Sequence, residues 1–267
     1  MVKKSRFRKL LLAGWVPDQH GAWPMALLPA LVGISLAGWT LVHAWLFTTW
    51  LVGFLFFNVA GIWFKAKPAS RVRTRVKPAF LTYLGLTLGF AAVLAGWLGR
   101  AQVRVLLPWA LFFIPLMAVT FGAFYRGDER SLVARVATIG ASVLMLPFSF
   151  GLLRVDGGFT ASGPWLLTGI FGWFFIASTL FVRSVIRGKD DNRVLAASWL
   201  WHGLGFGGFF FPAVGISIVW LGFVGLAFTR AVWLPLSQRR GLKLTAGMIG
   251  GEEFLMTLLL LFFMWFA

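Results

Sequence analysis

The sequence contains no cysteine, which excludes a disulfide scaffold, thiolate chemistry and any Cys-ligated metal. It is also poor in charge. Asp, Glu, Lys and Arg make up 12% of its 267 residues, where a soluble domain carries roughly a quarter. Acidic groups are the scarcest, with eight Asp and Glu against 25 Lys and Arg. Low-complexity tracts and long polar linkers are missing. There is no HExxH spacing, no Walker loop and no nucleophile elbow. The glycines at 203, 205, 207 and 208 are not followed by a hydrophilic phosphate-binding helix, so they make no dinucleotide site. What is abundant is apolar: 59% hydrophobic residues, 29 Phe, 15 Trp and a mean hydropathy of +0.84. Such a chain cannot cover a water-soluble globule with polar groups, and it is too hydrophobic to be disordered. The expected class is all-α, a polytopic membrane bundle.

Polar clusters divide the chain into nine apolar stretches, at about 23–40, 43–64, 79–99, 104–124, 133–153, 164–185, 194–210, 212–234 and 247–267. A crossing needs about 20 residues, so the first and seventh are short. With the N-terminus inside, twenty-two Lys and Arg fall on the inner side. They cluster at residues 3–9, 65–77, 126–135, 183–193 and 230–243, and Arg100, Arg104 and Arg154 remain outside. That asymmetry predicts nine helices in the bacterial cytoplasmic membrane, N-terminus in and C-terminus out. It also explains the net charge of +17 without nucleic acid as a partner. Residues 1–22 read as a basic interfacial segment, with Trp15 near the headgroups, and 23–267 as a single membrane domain.

Polar groups at membrane depth are costly and frequently functional. Glu252 and Glu253 open the last span. They are either carboxylates near a positive helix terminus or a site for a cation, proton or amine. Arg183, Arg187 and Asp191 are spaced to share one helix face, as a solvated anchor or as a clamp for an anion. His202 and Asn58 read as interhelical hydrogen-bond partners or as ligand groups. His43 is expected at the outer interface, and Arg230 is expected to snorkel to the inner one. Asp18, Gln19 and His20 precede Gly21 in a cluster richer than a helix entry requires.

The string Pro17-Asp18-Gln19-His20-Gly21-Ala22-Trp23-Pro24-Met25-Ala26-Leu27-Leu28-Pro29 resembles the opening motif of the YwiC-like family of bacterial membrane proteins. Asp128-Glu129-Arg130-Ser131-Leu132 and residues 181–187 are similar to later parts of it. A more distant resemblance is to the UbiA intramembrane prenyltransferases. It rests on nine spans, the layout from Asp18 to Gly33, and Asn58 followed by a basic loop. It implies a UbiA-like fold with a cytoplasm-facing cavity for an isoprenoid or phosphorylated lipid, and possible prenyltransferase-like activity. The aspartates that hold Mg²⁺ in those enzymes are replaced by Val59 and Ile62 in span 2, and by Arg183 and Arg187 in span 6. No cofactor is therefore expected, and arginine would meet the phosphate directly.

Three functions compete on these grounds. One is a lipid binder or divergent enzyme using His20, Asn58, Arg183, Arg187 and Asp191. Another is a small transporter using His202, Glu252 and Glu253. The last is a non-catalytic membrane scaffold or assembly factor.

Overall fold

In lipid every backbone N–H and C=O must be satisfied within the protein, which favours helices. The computed structural model describes residues 8–17, 21–186, 188, 190–206 and 218–266, and among them there is no strand. Among the described residues nine helices follow a helical turn at 8–12. They are α1 (Ala22–Ala37), α2 (Leu41–Lys65), α3 (Arg71–Leu106), α4 (Ala110–Arg126), α5 (Leu132–Gly151), α6 (Ser162–Ile186), α7 (Asn192–Leu204), α8 (Ile218–Arg239) and α9 (Ala246–Phe266). A 3₁₀ turn, Leu107–Trp109, joins α3 to α4. Counting the run from Arg71 to Arg126 as one, six of these helices are long and apolar enough to cross a membrane. The all-α membrane bundle expected from composition is the architecture found. The two stretches expected to be short are short: α1 has 16 residues and α7 has 13.

Helix starts follow local chemistry. Thr40, Ser70, Ser131 and Asp191 each accept a hydrogen bond from a first-turn N–H, at His43, Arg73, Ala134 and Arg193 respectively. The cap at Ser70 changes one expectation. Residues 71–77 are not loop but a basic helical extension of α3, and Arg73 lies over the Trp63 ring at 4.3 Å.

Chain contacts define two compact units, Met1–Thr168 and Gly169–Ala267. In the first, α2 and α3 run antiparallel. Trp63 stacks on Phe80 at 4.7 Å at one end, and Trp45 meets Phe90 at 5.1 Å toward the other. The apolar run continues through α4 for 56 residues, more than twice the length of a crossing at about 1.5 Å per residue. It doubles back: Phe64 touches both Phe80, at 6.4 Å, and Phe121, at 5.8 Å. The reversal uses Gly99, whose φ of 70° and ψ of 169° leave the helix. Across the same unit α1 lies directly on α5, and Ser149 Oγ donates to the Ala30 carbonyl at 3.1 Å.

This folding sorts the charges of the first unit. Lys65 pairs with Glu129 at 2.5 Å. The Tyr83 hydroxyl donates to the Trp15 carbonyl at 2.8 Å. The basic groups at 65–77 and 126–130 therefore gather at one end with the N-terminal segment. At the other end the Trp109 indole donates to the Gly157 carbonyl at 2.9 Å, and Gln102 donates to the Leu152 and Arg154 carbonyls. His43, in the first turn of α2, is buried within the unit. It is 2% exposed, and its Nδ1 lies 2.8 Å from Thr40 Oγ1.

In the second unit α6 to α9 pack through aromatic rings. Trp173 and Trp201 exchange indole-to-carbonyl hydrogen bonds, each 3.0 Å. Trp199 donates to the Ala231 carbonyl of α8 at 3.0 Å. Phe223 meets Phe174 of α6 and Phe263 of α9. Phe181, Val185, Ala231 and Ile249 form a fully buried cluster.

Candidate functional site

The second unit holds a charge cluster inside this apolar packing. Arg230 of α8 does not snorkel to an interface: its side chain is 6% exposed. Nη1 donates to both oxygens of Glu252, each at 2.9 Å, and to Glu253 Oε1 at 2.7 Å. The Ser178 hydroxyl of α6 donates to the second oxygen of Glu253. The Phe181 ring covers one face of the guanidinium at 4.3 Å. The two carboxylates are 24% and 12% exposed.

This geometry corrects the helix-terminus account of the glutamates. α9 begins at Ala246 and its first turn carries no acidic residue. Glu252 and Glu253 lie about 9 Å along the helix from its start, at about 1.5 Å per residue. Helix-terminus electrostatics fade within the first turn. Arg230, not the helix dipole, is what faces these carboxylates.

The cluster is unbalanced in two respects. Two carboxylates face one guanidinium, so with all three ionised one negative charge is left over. And although Nη1 meets three oxygens, Nε and Nη2 of the same buried guanidinium have no hydrogen-bond partner among the described residues. Two further unpartnered atoms, His202 Nε2 and Ser198 Oγ, belong to residues that are 0% exposed on α7. His202 and Ser198 are one turn apart, and His202 Nδ1 lies 2.7 Å from the Ser198 carbonyl. The Trp199–Ala231 bond holds this stretch of α7 beside Arg230.

The other predicted groups fall elsewhere. Asp18, Gln19, His20 and Arg187 lie outside the described residues. Arg183 is exposed in the last turn of α6. Asp191 does not continue its helix face, because α6 ends at Ile186 and Asp191 is the N-cap of α7. The shared face expected for 183, 187 and 191 is therefore interrupted. Asn58 is half-buried on α2 in the first unit and makes no side-chain hydrogen bond to a described residue. Val59, which stands where the prenyltransferases carry an aspartate, is fully buried against Val76 and Ala79. These residues do not fit a Mg²⁺ site. Among the described residues no group of three or more His, Asp or Glu side chains is placed to hold a metal ion.

Outside the spans two carboxyls are set by their surroundings. Partial burial pushes Glu129 up, but its hydrogen bond to Lys65 and the charges of Lys65 and Arg130 bring it below the ordinary carboxylate value. Asp156 is lowered to about 2, chiefly by the Thr160 hydroxyl and the Gly158 N–H that donate to it.

A family model described as YwiC-like protein matches residues 16–150, half of the sequence. The chain belongs to the YwiC-like family. The matched region includes the Asp18–Pro29 motif and helices α1 to α5. Among the family's curated relatives is the uncharacterised protein YwiC of Bacillus subtilis (strain 168). It is 27% identical over 198 residues, covering 70% of this chain and 73% of the relative. An uncharacterised protein of Haemophilus influenzae is 29% identical over 250 residues, 91% of this chain and 93% of its own length. That second similarity extends into the unit that carries the charge cluster. No solved structure matches the chain.

Sequence reasoning singled out the two glutamates but not their cation. The available signal was the sign of charge on neighbouring spans. Ionisable groups at membrane depth pair with one another, and Arg230 precedes Glu252 by a single helix connection.

Proposed function

We propose that this YwiC-like protein is a small ion-handling transporter of the bacterial cytoplasmic membrane, with its site in the second unit. One observation carries the proposal: Arg230 is held at membrane depth by two carboxylates, Glu252 and Glu253. A purely structural pair needs one of each sign. Here the second carboxylate leaves a surplus negative charge in low dielectric, which a proton or small cation neutralises. Exchange of that ion between the two sides is a transport activity. The cluster is built from side chains of α6, α8 and α9, so movement of any one of these helices alters it.

The orientation proposed has the basic ends and the N-terminus in the cytoplasm and the C-terminus outside, because Lys and Arg are retained on the inner side. A C-terminal reporter that works solely in the cytoplasm would reject it.

The transport proposal is tested in proteoliposomes carrying a pH-sensitive dye. Under an imposed pH gradient the wild type is expected to pass protons faster than empty vesicles, and Glu252→Gln/Glu253→Gln to lose that excess. Equal flux in the double variant and the wild type, or no flux above empty vesicles, makes the cluster a static one.

A second proposal keeps a phosphorylated lipid as ligand. Its support is the basic extension Arg71–Lys77 with the exposed groups at 126–130, which would attract anionic headgroups. Flotation with phosphatidylglycerol vesicles cannot test a membrane-embedded chain, so the measurement is native mass spectrometry. Retention of a phosphorylated isoprenoid over phosphatidylglycerol would favour it.

A further inference from the structure

Arg230 presents its other edge to the interior of the second unit. The Nε–H and one N–H of Nη2 lie parallel on a guanidinium, and this edge matches the two oxygens of a carboxylate. Both atoms are buried and without a partner among the described residues, and the third nitrogen is fully engaged by Glu252 and Glu253. The same is true of His202 Nε2 and Ser198 Oγ on the adjoining stretch of α7. Burying a polar group without a partner costs about 1–3 kcal/mol, more when it is charged. Four such atoms lie on two helices that the Trp199–Ala231 bond holds together, and among the described residues they lack a complement.

We propose that the free edge of Arg230, with His202 and Ser198, binds a small monocarboxylate. This deepens the transport proposal above and rests on it. The chemistry narrows the ligand. The two donors of the edge are coplanar, which suits a flat Y-shaped anion. The surplus negative charge of Glu252 and Glu253 disfavours a dianion such as phosphate. The surroundings are aromatic: Phe181 lies on the guanidinium face at 4.3 Å, and Trp173 meets the His202 ring edge-on at 6.5 Å. These neighbours favour a short apolar tail over a second charged group. Binding adds a further negative charge to the cluster. Of the groups facing it, Glu252 and Glu253 come from α9, Arg230 from α8 and His202 from α7, while α6 contributes Ser178 and Phe181, which do not titrate. Uptake of a proton or cation by the glutamates offsets that charge, so each ion favours binding of the other.

The test uses the full chain in detergent, with acetate as probe and tryptophan fluorescence as readout, because Trp173, Trp199 and Trp201 lie on or against α7. Acetate is expected to change the emission saturably, and inorganic phosphate at equal ionic strength is not. Arg230→Lys keeps the charge but loses the parallel edge and should weaken acetate by roughly tenfold or more, the equivalent of one charge-assisted hydrogen bond. Ser198→Ala, which leaves the ion pairs intact and removes an unpartnered buried hydroxyl, should weaken it several-fold without lowering the unfolding midpoint. If Arg230→Lys does not fold, Ser198→Ala and His202→Gln carry the test. The proposal is overturned if acetate gives no saturable change in folded wild type, if these variants bind it as wild type does, or if phosphate competes with it. Proton flux lost in Glu252→Gln/Glu253→Gln with no acetate binding would leave the transport proposal standing and remove this one.

Discussion

Replacing Gly33 by alanine separates two helices that touch backbone to backbone. A Cβ on Gly33 would stand 2.1 Å from the Leu146 carbonyl oxygen, 2.2 Å from Ser149 Oγ and 2.9 Å from the Leu146 carbonyl carbon. Two of these atoms are backbone and cannot rotate away. To restore an ordinary contact α1 must move off α5 by about 1 Å, an overpacking cost of roughly 1–3 kcal/mol. The same movement lengthens the Ser149–Ala30 hydrogen bond beyond its 3.1 Å, a further loss of about 1 kcal/mol. Gly33→Ala is therefore expected to destabilise the protein by about 2–4 kcal/mol. Gly53→Ala is the control, because its Cβ meets a single atom, Thr87 Cγ2, at 3.9 Å. It removes a mid-helix glycine, which favours the helix by up to about 1 kcal/mol. Unfolding of both variants in mixed micelles of increasing SDS fraction, followed by tryptophan emission, gives the comparison. Equal midpoints for Gly33→Ala and wild type would refute the close crossing of α1 and α5.

Trp109→Phe removes the indole donor of the buried bond to Gly157 and leaves that carbonyl unpaired. A loss of about 1–3 kcal/mol is expected in the same unfolding assay, and a loss near zero would mean that water replaces the bond. Acid should loosen the turn between α4 and α5. The Glu129 carboxyl is lowered in the folded protein, so its contribution is complete above the unfolded value near 4.3. It is lost as pH falls through the lower folded value. Hydrogen exchange at residues 127–131 is therefore expected to speed up below about pH 4 in wild type, and Glu129→Gln should show the faster exchange at neutral pH as well. The Asp156 turn, whose carboxyl stays ionised to about 2, should hold through that range.

The fold class was legible because hydropathy registers helix length directly, and α2, α5, α6 and α9 end within two residues of the apolar stretches that announced them. Boundaries set by single capping groups were harder. Ser70 starts α3 eight residues before the apolar stretch, since a basic helical turn in water carries no hydropathy signal. Asp191 read as the third member of an arginine face but is the cap of a new helix. A periodicity argument assumes an unbroken helix, and Gly188 interrupts this one, its N–H bonded to the Arg183 carbonyl. The glutamates were visible as charges in an apolar run. Their partner was assigned to the interface because arginine near a helix end ordinarily reaches water. Which way the side chain turns depends on the packing of α8 against α6 and α9, and a linear pattern does not encode that.

The ion cluster is tested most directly by a double-mutant cycle between Arg230→Gln and Glu253→Gln, measured by the same unfolding titration. Arg230→Gln leaves two buried carboxylates without their cation, at about 3–5 kcal/mol, whereas Glu253→Gln leaves Arg230 paired with Glu252. In the double variant the Arg230–Glu253 contact is lost only once, so the two single losses should not add. A coupling energy of about 1.5–3 kcal/mol is predicted, the scale of a hydrogen bond between charged groups. Additive losses, with coupling near zero, would mean that Arg230 and Glu253 do not meet inside the bundle and would contradict the site on which the functional proposal rests.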